Sequence, residues 1–204
     1  MGKLFFSTAT LEGIARNALM KYERGYLNRD PQAVPLERII EDVYKLTVDY
    51  MRLTEAGDEL GRMIYDDGYT TRFNTDIDNY ELVRVSAGTI LIESLLVNDS
   101  KQYGRYRFTL AHELGHWLLH KQLFSGTRTA AATFITDKQS DDSEEWQANY
   151  IAKAILMPVG QVKRGFHQLR AEKGTDKSKI KILADIFEVS QEAMGYRLSE
   201  LGLV

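Results

Sequence analysis

The segment AHELGH, residues 111–116, constrains this chain more than any other feature of its sequence. It places two histidines, His112 and His116, four residues apart, with Glu113 beside the first. On an α-helix, residues four apart are separated by about 6 Å along the axis and about 40° of rotation, so both imidazoles lie on one face and can bind one zinc ion. Glu113 then lies beside the ion, where a carboxylate can act as a general base towards water. The segment therefore predicts a metal site on a helix.

A third histidine in the same segment, His120, does not fit this site. It lies about 12 Å along the axis from His112 and about 80° around the helix, so one ion cannot reach all three side chains. Gln122 occupies the position at which metzincins carry their third histidine. We therefore expect His120 to stand outside the site, as a neighbour of a ligand or as a polar residue near the helix end.

The amino-acid composition narrows the choice of ligands and partners. The 204 residues contain no cysteine, which excludes thiolate zinc sites and iron–sulfur clusters and leaves His, Asp and Glu as metal ligands. The net charge of -3 argues against binding of nucleic acid through a broad basic surface. The amino terminus lacks the features of a secretion signal, and no apolar stretch is long enough to span a bilayer. We expect a cytoplasmic protein that does not bind membranes.

The periodicity of apolar residues predicts an α+β chain whose carboxyl-terminal half is mostly helical. In the first half, the predicted elements are helices at 8–27 and 30–46, short strands at 47–53 and 61–68, and a strand or hairpin bent near Gly88 at 81–94. In the second half, they are the histidine helix, a polar loop at 125–143, a helix at 144–157 that stops at Pro158, and further helices to the end. We predict two parts, a domain at 1–158 and a helical segment at 159–204.

A catalytic zinc generally has three protein ligands and one open position, so the site needs a third ligand besides the two histidines. Glu144 and Glu145 at the start of the next helix are candidates, and so is His167. Acidic residues also cap helix starts, so spacing alone leaves the choice open. Helical phase favours Glu145, because it shares a face with the small residue Ala148 and with Asn149, a candidate hydrogen-bonding partner for a ligand.

Two stretches resemble the ImmA/IrrE family of bacterial zinc metallopeptidases. They are RYRFTLAHELGHWLLH at 105–120 and EEWQANYIAKAILMP at 144–158, and the resemblance extends over about residues 58–158. Ile151 departs from the phenylalanine usual in the family, a difference that concerns packing. The resemblance implies a zincin-like fold, in which a small twisted sheet packs on helices.

The same resemblance implies a function. It points to a zinc-dependent endopeptidase, with Mn²⁺ as an alternative metal, that cleaves a helix-turn-helix transcriptional repressor and so relieves repression of stress or mobile-element genes. By position, the metal ligands would be His112, His116 and Glu145, and the general base would be Glu113.

The residues themselves offer further candidates for binding a substrate. Candidates for a second oxyanion donor are Tyr106, Tyr150 and His167. The strand at 86–94 can pair with an extended substrate if its edge is open.

The last residues, 179–204, have the layout of a helix-turn-helix, with Ser190 as an N-cap. Because the second helix offers only Arg197 as a basic residue, we do not expect direct binding of nucleic acid and favour a packing or repressor-docking role. Two non-enzymatic alternatives stay open. One is a DNA-binding regulator with a structural metal site, and the other is a regulator that binds a repressor without cutting it.

Overall fold

The computed structural model of the chain describes residues 6–97, 100–124, 143–170 and 175–204. In the first half, helices come first and five short strands follow, and the described part of the second half contains only helices, which confirms the predicted α+β class. The elements are α1 (Thr8–Tyr22), α2 (Leu36–Arg38) with a following π-helical turn (Ile39–Val43), β1 (Thr47–Met51), β2 (Gly61–Ile64), β3 (Gly68–Asn74), β4 (Asn79–Val85), β5 (Thr89–Glu93), α3 (Ser94–Val97), α4 (Tyr103–Phe124), α5 (Ser143–Leu156), α6 (Val159–Arg170), α7 (Asp176–Phe187) and α8 (Gln191–Glu200).

The strands form two small sheets. In the first, β5 lies in the centre, parallel to β1 and antiparallel to β2, and in the second β3 pairs with β4 as a hairpin. All five residues of β5 are buried, as expected of an apolar run covered on both faces. The condition for pairing with a substrate, an open edge on this strand, is not met along β5, because both of its edges are paired within the sheet.

A turn at Gly88 separates β4 from β5. Gly88 has a φ of 79°, in the left-handed region that glycine adopts without a steric penalty. The bend predicted there is confirmed, but the two strands do not pair with each other and belong to different sheets. The strand β3 was not predicted from the sequence, because its polar and apolar residues alternate weakly.

One large cluster of buried apolar side chains joins the helices to the first sheet. The buried face of α4 contributes Leu110 and Leu114, with Trp117 and Leu118 packed beside them. The same cluster includes Leu183 from α7 and Leu198 from α8. The division of the chain at residue 158 stays a prediction.

The helices α7 and α8 form the predicted pair, and their turn packs on the first turn of α4. Ser190 caps α8 by accepting a hydrogen bond from the backbone N–H of Ala193. A Cβ atom at Gly104 would lie 3.2 Å from the backbone nitrogen of Ser190, so a glycine in α4 permits this close contact. The histidine helix is thus supported at its start by the carboxyl-terminal helices.

Arg197 of α8 is fully buried and serves the fold. Its Nη1 atom lies 2.7 Å from Oε1 of Glu12 in α1, and its Nε atom donates a hydrogen bond to the carbonyl oxygen of Met157. The Tyr150 hydroxyl donates to the same Glu12 carboxylate. The basic residue on which a DNA-binding reading of α8 depends is therefore unavailable to phosphate groups.

We expect Arg197→Met to lower the free energy of unfolding by about 2 kcal/mol, because Glu12 loses its charged partner and the carbonyl oxygen of Met157 loses a hydrogen bond from a charged group. Urea denaturation monitored by circular dichroism measures this change. The exposed Arg24, replaced by methionine, is the control and should change stability little. Unchanged stability of the Arg197 variant would contradict this account of α8.

Within the described residues, none of the helices combines the length and the apolar character needed to cross a lipid bilayer.

Candidate metal centre

The side chains of His112, His116 and Glu145 converge on one point. The two Nε2 atoms lie 2.8 Å apart, and the Glu145 carboxylate oxygens each lie 3.2 Å from one of them. Both histidines are fully buried and Glu145 is 16% exposed. In a tetrahedral zinc site with bonds of about 2.0–2.1 Å, neighbouring ligand atoms lie about 3.3 Å apart. The two distances to Glu145 are close to this value and the distance between the Nε2 atoms is shorter, so the three side chains can serve as a set of metal ligands.

Small side chains bring the two helices of the site together. A Cβ atom at Gly115 of α4 would lie 3.1 Å from the carbonyl oxygen and 3.3 Å from the Cα of Ala148 in α5. Because neither position carries a bulky side chain, the helix axes approach closely enough for Glu145 to meet the histidines. The small-residue face predicted for α5 is confirmed as the contact face.

The charges in this cluster favour metal-binding forms of the side chains. Burial raises the pKa of Glu145, but hydrogen bonds from His112 and His116 outweigh burial and lower it to about 2, so the carboxylate is ionised. Burial lowers the pKa of His116, and its hydrogen bond with Glu145 only partly opposes this effect. A neutral imidazole beside an ionised carboxylate is the pair that a divalent cation requires.

Asn149 orients one of the histidines. Its Oδ1 atom lies 2.9 Å from Nδ1 of His112, one helical turn after Glu145 on α5. In a metal-bound form, Nδ1 of His112 would donate to Asn149, and Nε2, which hydrogen-bonds Glu145 without the metal, would present its lone pair to the ion. The sequence-based prediction that Asn149 hydrogen-bonds a ligand agrees with this contact.

We expect Asn149→Ala to weaken metal binding by about 10- to 100-fold, because His112 loses the partner that fixes its tautomer and ring orientation. Competition with a chelating dye measures the affinity. Gln168, an exposed amide on α6, replaced by alanine is the control and should bind metal as the wild type does. Equal affinity in the Asn149 variant would show that this hydrogen bond does not support the site.

Glu113 is a buried carboxylate next to the cluster. It is fully buried, and neither of its oxygens has a well-formed hydrogen bond among the described residues. Burial raises the pKa of Glu113 well above its ordinary value, the negative charges of Glu145 and Glu59 raise it further, and Arg62 opposes them. A buried acid without a partner is costly to the fold, which is typical of groups retained for chemistry.

Gly61 lies directly behind the Glu113 carboxylate, a contact that was not predicted from the sequence. A Cβ atom at Gly61 of β2 would lie 2.8 Å from Oε1 of Glu113 and 2.7 Å from Cγ2 of Thr109. Gly61 thus leaves the space that the Glu113 carboxylate fills. A single sequence carries no signal for this contact, because the two residues are far apart in the chain and no motif contains the glycine.

If Glu113 acts as the general base that the sequence predicts, Gly61→Ala should slow that reaction by about 100-fold while metal affinity stays unchanged, because the added methyl group meets the Glu113 carboxylate and not the ligands. Hydrolysis rates and the metal titration above measure the two effects. Gly195→Ala in α8 is the matched control, because its Cβ would meet no atom closer than 3.9 Å. Full activity of the Gly61 variant would contradict the role of this contact.

The remaining candidates do not join the three-residue group. His167 is exposed on α6, and Glu144 is not part of the group found among the described residues. The Tyr106 hydroxyl shares a hydrogen bond with the Tyr50 hydroxyl, and the Tyr150 hydroxyl donates to the carboxylate of Glu12. The side chain of His120 and the loop at 125–142 lie outside the described residues, so the expectation for His120 stays a prediction.

Known proteins resemble this chain in fold and, over part of its length, in sequence. A solved structure described as a Mycobacterium tuberculosis transcriptional regulator superposes with a TM-score of 0.52 at 18% sequence identity. The match covers 93% of this chain and 55% of that one, so the chain spans about half the length of this neighbour. At this identity the likeness concerns the fold alone. No curated protein matches the chain in sequence.

A family match covers residues 66–199, more than half of the chain, and includes both helices of the site. The family is the peptidase family M78, described as the IrrE N-terminal-like domain. This match supports the zincin-like fold and a metallopeptidase or regulator of the ImmA/IrrE type. The chain therefore belongs to the IrrE N-terminal-like family of M78 peptidases.

Proposed function

We propose that the chain is a metal-dependent endopeptidase that cleaves a transcriptional repressor. The observation that carries the proposal is the convergence of two histidines and a glutamate on one point, with the buried carboxylate of Glu113 beside them. Membership of a peptidase family supports the same reading.

His112, His116 and Glu145 would hold the metal ion. Nitrogen and carboxylate donors suit zinc, and the same set accepts Mn²⁺ or iron. A divalent cation supplies Lewis-acid chemistry, which polarises the carbonyl of the scissile peptide bond and makes water more acidic. Three protein donors are present among the described residues, whereas a structural zinc usually has four, and this difference favours a catalytic site.

Glu113 would move the protons of the reaction. Its carboxylate accepts a proton from the attacking water and later gives that proton to the amine of the departing peptide. Gly61 leaves the space in which this carboxylate lies. Asn149 holds His112 in the tautomer whose Nε2 faces the site.

The proposed substrate is a helix-turn-helix repressor, and the proposed place of action is the cytoplasm, where such a repressor meets DNA. The resemblance to the ImmA/IrrE family supports this substrate class. The buried ion pair of Arg197 supports a protein substrate over direct contact with DNA, since α8 presents no exposed basic side chain. We also propose that residues 159–204 act as a helical segment that supports residues 1–158.

The test is incubation of the full chain with a helix-turn-helix repressor encoded beside it, with zinc or manganese, followed by intact-mass spectrometry. We expect two repressor fragments whose masses sum to that of the repressor plus one water. An intact repressor that co-purifies with the metal-loaded chain would instead favour a regulator that binds without cutting. Salt-dependent binding of DNA by the chain alone would favour a DNA-binding regulator.

A further inference from the structure

A cavity of about 480 Å³ lies between α1, α5 and α6, away from the candidate metal centre. Ala154 of α5 lines it, nine residues after Glu145, which places it about 13 Å further along the helix axis. Cavities of this size commonly bind small molecules.

Two arginines line the cavity without an acidic partner. Arg16 of α1 is exposed and has no ion pair among the described residues. Arg164 of α6 donates through Nη2 to the carbonyl oxygens of Leu27 and Arg29, while its Nε is buried without a hydrogen-bond partner. Two guanidinium groups beside one cavity make a strong site for a carboxylate or phosphate group.

The single carboxylate in the cavity wall does not neutralise the guanidinium groups of Arg16 and Arg164. Glu12 lines the cavity, but its Oε1 atom lies 2.7 Å from Nη1 of Arg197 and accepts a hydrogen bond from the Tyr150 hydroxyl. Its negative charge is therefore committed to the buried pair between α1 and α8. The net charge that the remaining wall presents to a ligand is positive.

Gly13 lines the cavity and borders free space. Gly13 lies in the middle of α1, where glycine is less stable than alanine, yet a Cβ atom there would meet nothing within 4 Å. Packing therefore does not require a glycine at this position. A larger side chain at residue 13 would project into free space that the cavity includes.

We propose that this cavity binds a small organic anion, with a phosphate or carboxylate group between Arg16 and Arg164 and a compact apolar body against the other walls. Those walls are apolar, since they include Leu19, Ala154 and Pro158. This site is separate from the metal centre, and the inference does not depend on the peptidase reaction.

The test is isothermal titration calorimetry of the full chain with phenyl phosphate, benzoate and inorganic phosphate, in a chelating buffer at constant ionic strength. We expect saturable one-to-one binding of phenyl phosphate or benzoate, at least tenfold tighter than inorganic phosphate because the apolar walls contact the ring. Amide resonances of Gly13 and Gly160 should shift with the same titration curve.

Two variants and one control test whether the anion binds in this cavity. Gly13→Leu fills the cavity and should abolish binding without lowering the melting temperature, and Arg16→Gln should weaken binding at least tenfold. Arg24→Gln removes the same charge from an exposed position outside the cavity and should leave binding unchanged. Absence of saturable binding of either ring-bearing anion, full binding by Gly13→Leu, or equal weakening by Arg24→Gln would overturn the proposal.

Discussion

Replacement of Glu113 by glutamine is expected to reduce peptide cleavage by about 10²- to 10⁴-fold while the chain keeps its full metal content. The amide has the size of the carboxylate but cannot accept a proton from water. It also replaces a buried carboxylate that lacks a hydrogen bond, so the variant should be at least as stable as the wild type.

Cleavage rates by mass spectrometry and metal content by elemental analysis measure the two expectations on the same samples. Glu144→Gln is the matched control, because Glu144 is an acidic residue beside a ligand but outside the three-residue group. Undiminished cleavage by Glu113→Gln would exclude Glu113 as the general base. Loss of metal together with activity would instead identify it as a ligand.

Replacement of Glu145 by alanine is expected to weaken metal binding by at least about 100-fold. Loss of a residue that only hydrogen-bonds a ligand already lowers metal affinity by up to about 100-fold, and Glu145 would be a ligand itself. The change removes one of three donors and the only carboxylate among them, and leaves two imidazoles whose Nε2 atoms lie 2.8 Å apart. The wild type should gain about 2.7 kcal/mol of stability at a metal concentration 100 times its dissociation constant, and the variant should gain far less.

Thermal denaturation with and without zinc measures this gain, and chelator competition gives the affinity. Glu144→Ala, the neighbouring change, should bind metal as the wild type does. If Glu145→Ala binds zinc with wild-type affinity while Glu144→Ala does not, the third ligand has been assigned to the wrong glutamate.

Local spacing predicted the parts of the site that lie within one helix or on one helix face. The four-residue spacing of His112 and His116 needs only the geometry of an α-helix to place both rings on one side. In the same way, the phase of α5 places Glu145 and Asn149 on the face that carries Ala148. These predictions were accessible because each depends on neighbours in sequence.

Contacts between distant segments were not accessible in this way. The space behind Glu113 depends on Gly61, which belongs to another element and to no motif. The central position of β5 depends on which strands pair with it, and a short apolar run does not specify its partners. The burial of Arg197 could not be predicted either, because its partner, Glu12, lies in the first helix.

The metal centre itself is tested most directly by X-ray crystallography of the zinc-loaded chain, with anomalous scattering recorded at the zinc edge. We expect one anomalous peak per chain, within about 2.0–2.2 Å of Nε2 of His112, Nε2 of His116 and a carboxylate oxygen of Glu145. A peak bound to other residues, or no peak at these three side chains under saturating zinc, would contradict it.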